Sequence, residues 1–281
     1  MPAPRSERRS RSRSRHRDAR SSSPLVPGAI VTLLAALVVG AWWMGQRTSV
    51  PTDAGTLCRT DVPPPATHAV LIDVTDTLSS GERVQVLNEI ERLRMQLPRF
   101  ALLEIYAIDS AATPEAALIS ICNPGRGADM NRLYQNPAMA ERRWEEDFRD
   151  RLNRTLDDVV SRADSQQSLI LEAVRAVATE SFGRVALDGS EKHLTVFSDL
   201  LQHAPGEYSQ YSRPLADYGT FRQGRYGHAT RADLSGVHVR VFYIERPSTH
   251  HLQDGNHQKF WFEYFQAGGA VVEGFKKIFG D

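Results

Sequence analysis

The stretch Leu71-Ile72-Asp73-Val74-Thr75-Asp76-Thr77-Leu78 sets a carboxylate and two hydroxyls at every second position, directly after a short apolar run. Asp73, Thr75 and Thr77 are hard oxygen donors, suited to Mg²⁺ first, or to another divalent cation such as Mn²⁺ or Ca²⁺. One carboxylate and two hydroxyls leave such an ion undercoordinated, so the chemistry depends on oxygens arriving from elsewhere. A second carboxylate lies where Leu194-Thr195-Val196-Phe197 passes into Ser198-Asp199-Leu200. Between the two, Asp164-Ser165-Gln166-Gln167-Ser168 precedes the helical pattern Leu169-Ile170-Leu171-Glu172-Ala173-Val174, and Ser168 is the expected hydroxyl donor.

The elements that must position these groups alternate between strand-like and helix-like patterns, the signature of an α/β fold with a mostly parallel, doubly wound sheet in three layers. Residues 69–74 read as a strand buried on both faces, with Ser79 and Ser80 placed to cap the helix after it. That helix is predicted over residues 82–96, with Val84, Leu87, Ile90 and Leu93 or Leu97 on its apolar stripe, ended by Pro98. Residues 101–108 make a second strand and 117–121 a third, at an edge. Trp144, Phe148, Leu152, Leu156 and Val159 or Val160 recur at helical spacing within residues 138–160, with Asn136 and Pro137 as cap and first-turn residues. A helix over 168–178, strands over 193–197 and 237–244, a helix over 258–266 and a short strand or cap at 270–272 follow. Parallel neighbours would bring Asp73 and Asp199 to one rim, since such sheets gather ligands at strand carboxyl ends.

The zero net charge of the 281-residue chain conceals two unlike parts. Residues 1–24 hold eight Arg against Glu7 and Asp18, so the remainder is net acidic. This Arg/Ser head has no apolar residue able to order it and reads as a disordered cytoplasmic tail. Its Arg-Ser dipeptides suit nucleic acid or phosphorylation; the simpler role is to fix membrane orientation, and no nucleic-acid partner is expected. Between Leu25 and Met44 no charge interrupts a run rich in Leu, Val and Ala that ends at Trp42-Trp43, long enough to span a bilayer, so residues 25–45 are expected to be a transmembrane helix. The bulky pair fits a signal-cleavage site poorly, and eight Arg ahead of the span place the N-terminus in the cytoplasm and the rest outside it. Residues 46–67, with Pro63-Pro64-Pro65, read as a semi-rigid linker, and residues 68–281 as the folded domain. Cys58 and Cys122 both lie beyond the anchor and are candidates for a disulfide; two unpaired thiols are the other option.

Asp73-x-Thr75-x-Thr77, Ser168 ahead of the helical Leu169-Ile170-Leu171-Glu172-Ala173-Val174, and Phe197-Ser198-Asp199 together resemble the metal-ion-dependent adhesion site of von Willebrand factor type A domains, over residues 68 to about 275. In that family the first motif is Asp-x-Ser-x-Ser, the middle ligand is usually Thr and the last motif is Thr-Asp-Gly. Here Thr replaces Ser twice, Ser replaces Thr once and Leu200 stands where Gly is common; each exchange at a ligand position keeps an oxygen. The resemblance implies a Rossmann-like type A fold in which Asp73, Thr75, Thr77, Ser168 and Asp199 bind Mg²⁺ directly or through water. A coordination position is left for a partner's carboxylate.

Asp73-Val74-Thr75-Asp76-Thr77-Leu78 also resembles the Asp-x-Asp-Gly-Thr-Leu motif of haloacid-dehalogenase-type phosphatases, with Asp73 as nucleophile. A threonine at position 75 cannot readily protonate a leaving group, and Asp76 takes the usual Gly position. A third reading is a structural subunit of an envelope assembly with an idle metal site. His250, His251 and His257 read as part of a polar surface loop rather than a zinc site. Residues 204–236 form a long insertion with Tyr208, Tyr211, Tyr218, Phe221, Tyr226, Arg213, Arg222, Arg225 and Arg231 but few aliphatics, so they are expected outside the core, suited to recognising a protein partner. The expectation is a non-enzymatic, Mg²⁺-holding protein-interaction module on a single-pass anchor in a bacterial inner membrane, its domain in the periplasm.

Overall fold

The computed structural model describes residues 25–47, 50–109, 116–131, 136–161, 167–184, 187–212 and 214–279. The basic head lies outside them, as do Asp164, Ser165, Gln166 and Arg213. Helix α1 (Leu25–Arg47) covers the segment expected to span a membrane, and residues 28–40 are exposed throughout. Among the described residues no helix is long and apolar enough to cross a membrane, against the expectation of a transmembrane helix over residues 25–45. The chain divides into two compact units, Met1–Val50 and Pro51–Asp281.

Within Pro51–Asp281 the elements are β1 (Ala66–Asp73), α2 (Ser80–Gln96), β2 (Leu102–Ile108) and β3 (Ile119–Cys122), then α3 (Pro137–Arg143), which passes through a π-helical stretch, Trp144–Arg149, into α4 (Asp150–Val160). After α5 (Ile170–Val177) come β4 (Glu191–Ser198), the short pair β5 (His203–Ala204) and β6 (Tyr208–Ser209), α6 (Tyr218–Phe221), α7 (Arg225–Ala229), β7 (Val237–Glu245), α8 (Gly255–Ala267) and β8 (Val271–Phe279). Six strands form one sheet in the order β3-β2-β1-β4-β7-β8, parallel except for β3. Ala69 and Leu71 of β1 pack toward α5 and α8, while Val70 and Ile72 pack toward α2 and α4. Burial on both faces is why residues 69–72 of this strand are continuously apolar rather than alternating. The three-layer α/β architecture is thus the expected one.

Helix α2 starts in a capping box, Ser79 and Glu82 each accepting from the other's backbone N–H. Its buried stripe is Glu82, Val86, Ile90 and Arg94, and Val84, expected on the stripe, is 56% exposed. The stripe is displaced because two of its members are charged: Glu82 is covered by an ion pair to Arg246, and Arg94 bonds to Glu91 and Asn153. Through residues 138–160 the expected apolar positions are all buried. Strand β8 runs nine residues where only a short piece was expected; Glu273, Lys276 and Lys277 suit its exposed edge and mask the strand pattern.

Two expectations are corrected by packing. Tyr218 and Phe221, in the insertion, are buried in the main core against Phe260 and Tyr264, and Tyr208 and Tyr226 pack on that core. Aromatic rings supply the apolar area that the missing aliphatics do not. Residues 51–65, read as linker, belong to the folded unit: Leu57 is buried, Thr56 O accepts from Cys122 N at 2.8 Å, and Cys58 is disulfide-bonded to Cys122.

At matched register on β1, β4 and β7, His68, His193 and His238 lie side by side, the first two rings stacked with centroids 4.3 Å apart and the last two tilted at 5.3 Å. Burial, then the neighbouring His193 and Arg240, push the His68 pKa down to about 3. The native state therefore refuses a proton that the unfolded chain takes up near about pH 6.5, so stability present above that pH is lost progressively on acidification. His68→Phe should remove this share: between about pH 7 and about pH 4.5 its denaturant midpoint should fall less than that of the wild type, and parallel profiles would contradict the assignment. Removing the disulfide with Cys58→Ser and Cys122→Ser together should cost about 2–4 kcal/mol, read as melting lowered by roughly 5–15 °C.

Candidate functional site

Because β1, β4 and β7 are parallel neighbours, their carboxyl ends bring Asp73, Ser198-Asp199 and Glu245-Arg246 to one rim. The chain leaves β1 toward β2 and β3, then resumes at β4 on the other side, so this rim is the switch point of the sheet, where open α/β folds place ligands.

Asp73 accepts at Oδ1 from Thr75 N (3.1 Å) and Thr75 Oγ1 (2.6 Å), and at Oδ2 from Ser198 Oγ (2.6 Å). Asp199 accepts at Oδ1 from Leu201 N (2.9 Å) and at Oδ2 from Arg246 Nη1 (3.2 Å). The same guanidinium donates from Nη1 to Asp76 Oδ2 (2.9 Å) and from Nε to Glu82 Oε1 (3.1 Å), and its side chain is only 15% exposed. Burial pushes both the Asp73 and Asp199 carboxyls above the usual range; for Asp199 the charge of Asp73 adds to it. Burial also works against the Arg246 charge, but Asp199, Glu82, Asp76 and Asp73 outweigh it, so this guanidinium holds its proton more tightly than usual.

Of the expected donors, Asp73, Thr75 and Asp199 are brought together and buried. Thr77 is exposed on the same loop. Ser168 is fastened beside the strand-end loop by two backbone hydrogen bonds with His203, of 2.9 and 2.8 Å. It is buried, and its Oγ has no hydrogen-bond partner among the described residues. Ser198 and Asp76 stand in the motifs but were not expected to bond within the rim, and Glu82 and Arg246 were not expected there at all. Arg246 lies two residues past the strand-like residues 237–244, but only the neighbours of that strand place it on this rim.

Leu200 follows Asp199 with φ +59°, in the left-handed region, at the position where the resembled motif carries Gly. Its carbonyl accepts from Trp261 Nε1 (2.8 Å) and His257 Nε2 (3.0 Å), which holds the strained turn in place. Nε2 of His257 faces two oxygen acceptors, Leu200 O and Gln210 Oε1, and so carries the proton, while the Tyr243 hydroxyl lies 2.7 Å from Nδ1 and donates to it. His257 is fully buried, correcting its expected place on a surface loop: the first turn of α8 carries it inward, while His250 and His251 are exposed. Gln253 Nε2 ties Asp199 O (3.2 Å) to Ile244 O (2.7 Å). From the insertion, Tyr211 lies within reach of the acids: burial first, then Asp199, Asp76 and Asp73, push its hydroxyl pKa up.

Among the described residues no group of three or more His, Cys, Asp or Glu side chains is placed to hold a metal ion, so an ion here would depend on hydroxyls for its remaining ligands. The donor set fits that case: two buried carboxylates, the hydroxyls of Thr75 and Ser198 beside Asp73, and the buried Ser168 Oγ, unpartnered among the described residues.

No protein-family model matches this chain, and no curated protein matches it in sequence. Its fold is similar to those of solved structures that include the following three. The conserved hypothetical protein BatB from Bacteroides thetaiotaomicron is 11% identical, with 77% of this chain and 91% of that one covered and a TM-score of 0.39. An aerotolerance-related membrane protein from Bacteroides fragilis is 10% identical over 63% and 66%, with a TM-score of 0.30. The human COPII-coat protein Sec24c is 14% identical over 78% of this chain and 30% of that one, with a TM-score of 0.43. Overlaps this loose carry no conclusion about function.

Trp261→Phe removes one of the two donors to the Leu200 carbonyl and should cost about 1 kcal/mol in a denaturant titration. An unchanged midpoint would show that His257 holds the turn unaided.

Proposed function

We propose that this chain is a von Willebrand factor type A-like binding module whose rim holds Mg²⁺ through Asp73, Thr75, Ser168 and Asp199, with Ser198 and Thr77 beside them. The reading is carried by the convergence of two buried, mutually unfavourable carboxylates with the buried hydroxyls of Thr75 and Ser198 at the sheet's switch point, and is supported by the buried Ser168 Oγ, which has no hydrogen-bond partner among the described residues. When bound, the ion supplies positive charge and a coordination position open to an acidic group of a partner protein. The chain's own residues do the rest: Thr75 and Ser198 fix the Asp73 carboxylate, and Trp261 and His257 fix the turn behind Asp199. Tyr211, 43% exposed, lines the approach from the insertion and gives a partner an aromatic contact. The proposed activity is binding rather than catalysis, since a threonine stands where a phosphatase of the resembled type needs its proton donor. The uncharged run from Leu25 to Met44 behind eight Arg supports a single-pass inner-membrane protein with this module in the periplasm.

Arg246 favours a second reading, a structural subunit with an idle ion site, because it already supplies positive charge to Asp199. Thermal unfolding of the full-length chain in mild detergent separates the two. Mg²⁺ at about 100 times its Kd should stabilise the wild type by about 2.7 kcal/mol, and chelator should reverse this. Asp73→Asn should abolish the Mg²⁺ effect while melting no lower than wild type without metal, because it removes a buried charge that the fold disfavours. A wild type indifferent to Mg²⁺ would leave the idle-site reading standing.

A further inference from the structure

We infer that Arg246 is a tethered competitor of the divalent ion: its guanidinium and the cation hold Asp199 by turns, so Arg246 sets the affinity of the rim for metal. The inference rests on the proposal that the rim holds Mg²⁺ and goes beyond it by naming what the ion must displace.

Arg246 Nη1 lies 3.2 Å from Asp199 Oδ2, while the other oxygen of that carboxylate is taken by Leu201 N. The oxygen nearest Arg246 is therefore the one open to an ion. A divalent cation on that oxygen would sit against a guanidinium whose charge cannot be discharged. The two cannot share it, and the chain offers Arg246 another place. Its Nε is held by Glu82, whose side chain is 1% exposed and whose other oxygen accepts from Ser79 N at 2.8 Å in the capping box, so this anchor is rigid. Its other partner, Asp76, has a side chain 50% exposed on the loop between Thr75 and Thr77. Swinging about the Glu82 contact, the guanidinium releases Asp199 while keeping Glu82 and following Asp76 outward. Metal binding is in this way coupled to the charge pattern of the rim, since one exchange covers Asp199 with the ion and turns the Arg246–Asp76 pair toward the approaching partner.

Calorimetric titration of Mg²⁺, with Mn²⁺ followed by its paramagnetic resonance signal as a second readout, into the full-length chain tests this. Arg246→Gln should bind each ion at least about tenfold more tightly than wild type, and Arg246→Lys, which keeps the charge but cannot fork among three carboxylates, should fall between them. Equal or weaker binding by a folded Arg246→Gln, with wild-type binding still lost in Asp73→Asn, would overturn the competition and leave the metal-holding rim intact. No binding by wild type, Arg246→Gln or Arg246→Lys would overturn both. If Arg246→Gln does not fold, Arg246→Lys decides alone: several-fold tighter binding supports the exchange, and unchanged affinity ends it.

Discussion

Two carboxylates set side by side out of water are the constraint around which this rim is organised. Burial disfavours the charge on Asp73 and on Asp199, and the charge of Asp73 further disfavours that of Asp199. Several local features answer that one difficulty. Thr75 and Ser198 spend their hydroxyl protons on Asp73, and Arg246 spreads a single charge over Asp76, Glu82 and Asp199. The capping box of α2 does double duty, because the Glu82 side chain both closes the helix start and orients the arginine. A left-handed leucine would be a poor choice for a turn on its own merits. Here the indole and imidazole behind it hold the carbonyl, and the side chain is buried in the core.

Sheet order and site belong together. Only because β4 returns beside β1 on the side away from β2 do Asp73 and Ser198 come within hydrogen-bonding distance, although 125 positions separate them. The parallel arrangement of β7 then delivers Arg246 without any special loop.

What could be read from residues alone follows the same division. The buried strands were legible because residues 69–72 are continuously apolar and Leu194, Val196 and Phe197 dominate residues 193–197, and Ser79 and Ser80 announced the start of α2. Asp73, Thr75 and Asp199 were legible as a set because each stands at or just past such a strand. Arg246 was not, since a basic residue beside a proline reads as loop until the neighbouring strands are known. Val84 misled because the stripe of α2 includes an acid and an arginine whose partners lie far off in sequence. Tyr218 and Phe221 misled because they lie among polar residues and yet fill the space over Phe260. His257 misled because a polar run hid the first turn of a helix. In each case the missing information was tertiary: a partner that pays for burial.

The Cys58–Cys122 bond joins the stretch ahead of β1 to β3, at the edge of the sheet. Tension applied to the chain ahead of Cys58 therefore has two routes into the domain, one through residues 59–65 to the central strand that ends in Asp73, the other across the sulfurs to an edge strand that carries none of the rim. The crosslink acts as a mechanical shunt. By sharing the load with β3, it lessens the pull on the strand that positions Asp73, and with it any strain transmitted to the acids at the opposite end of that strand.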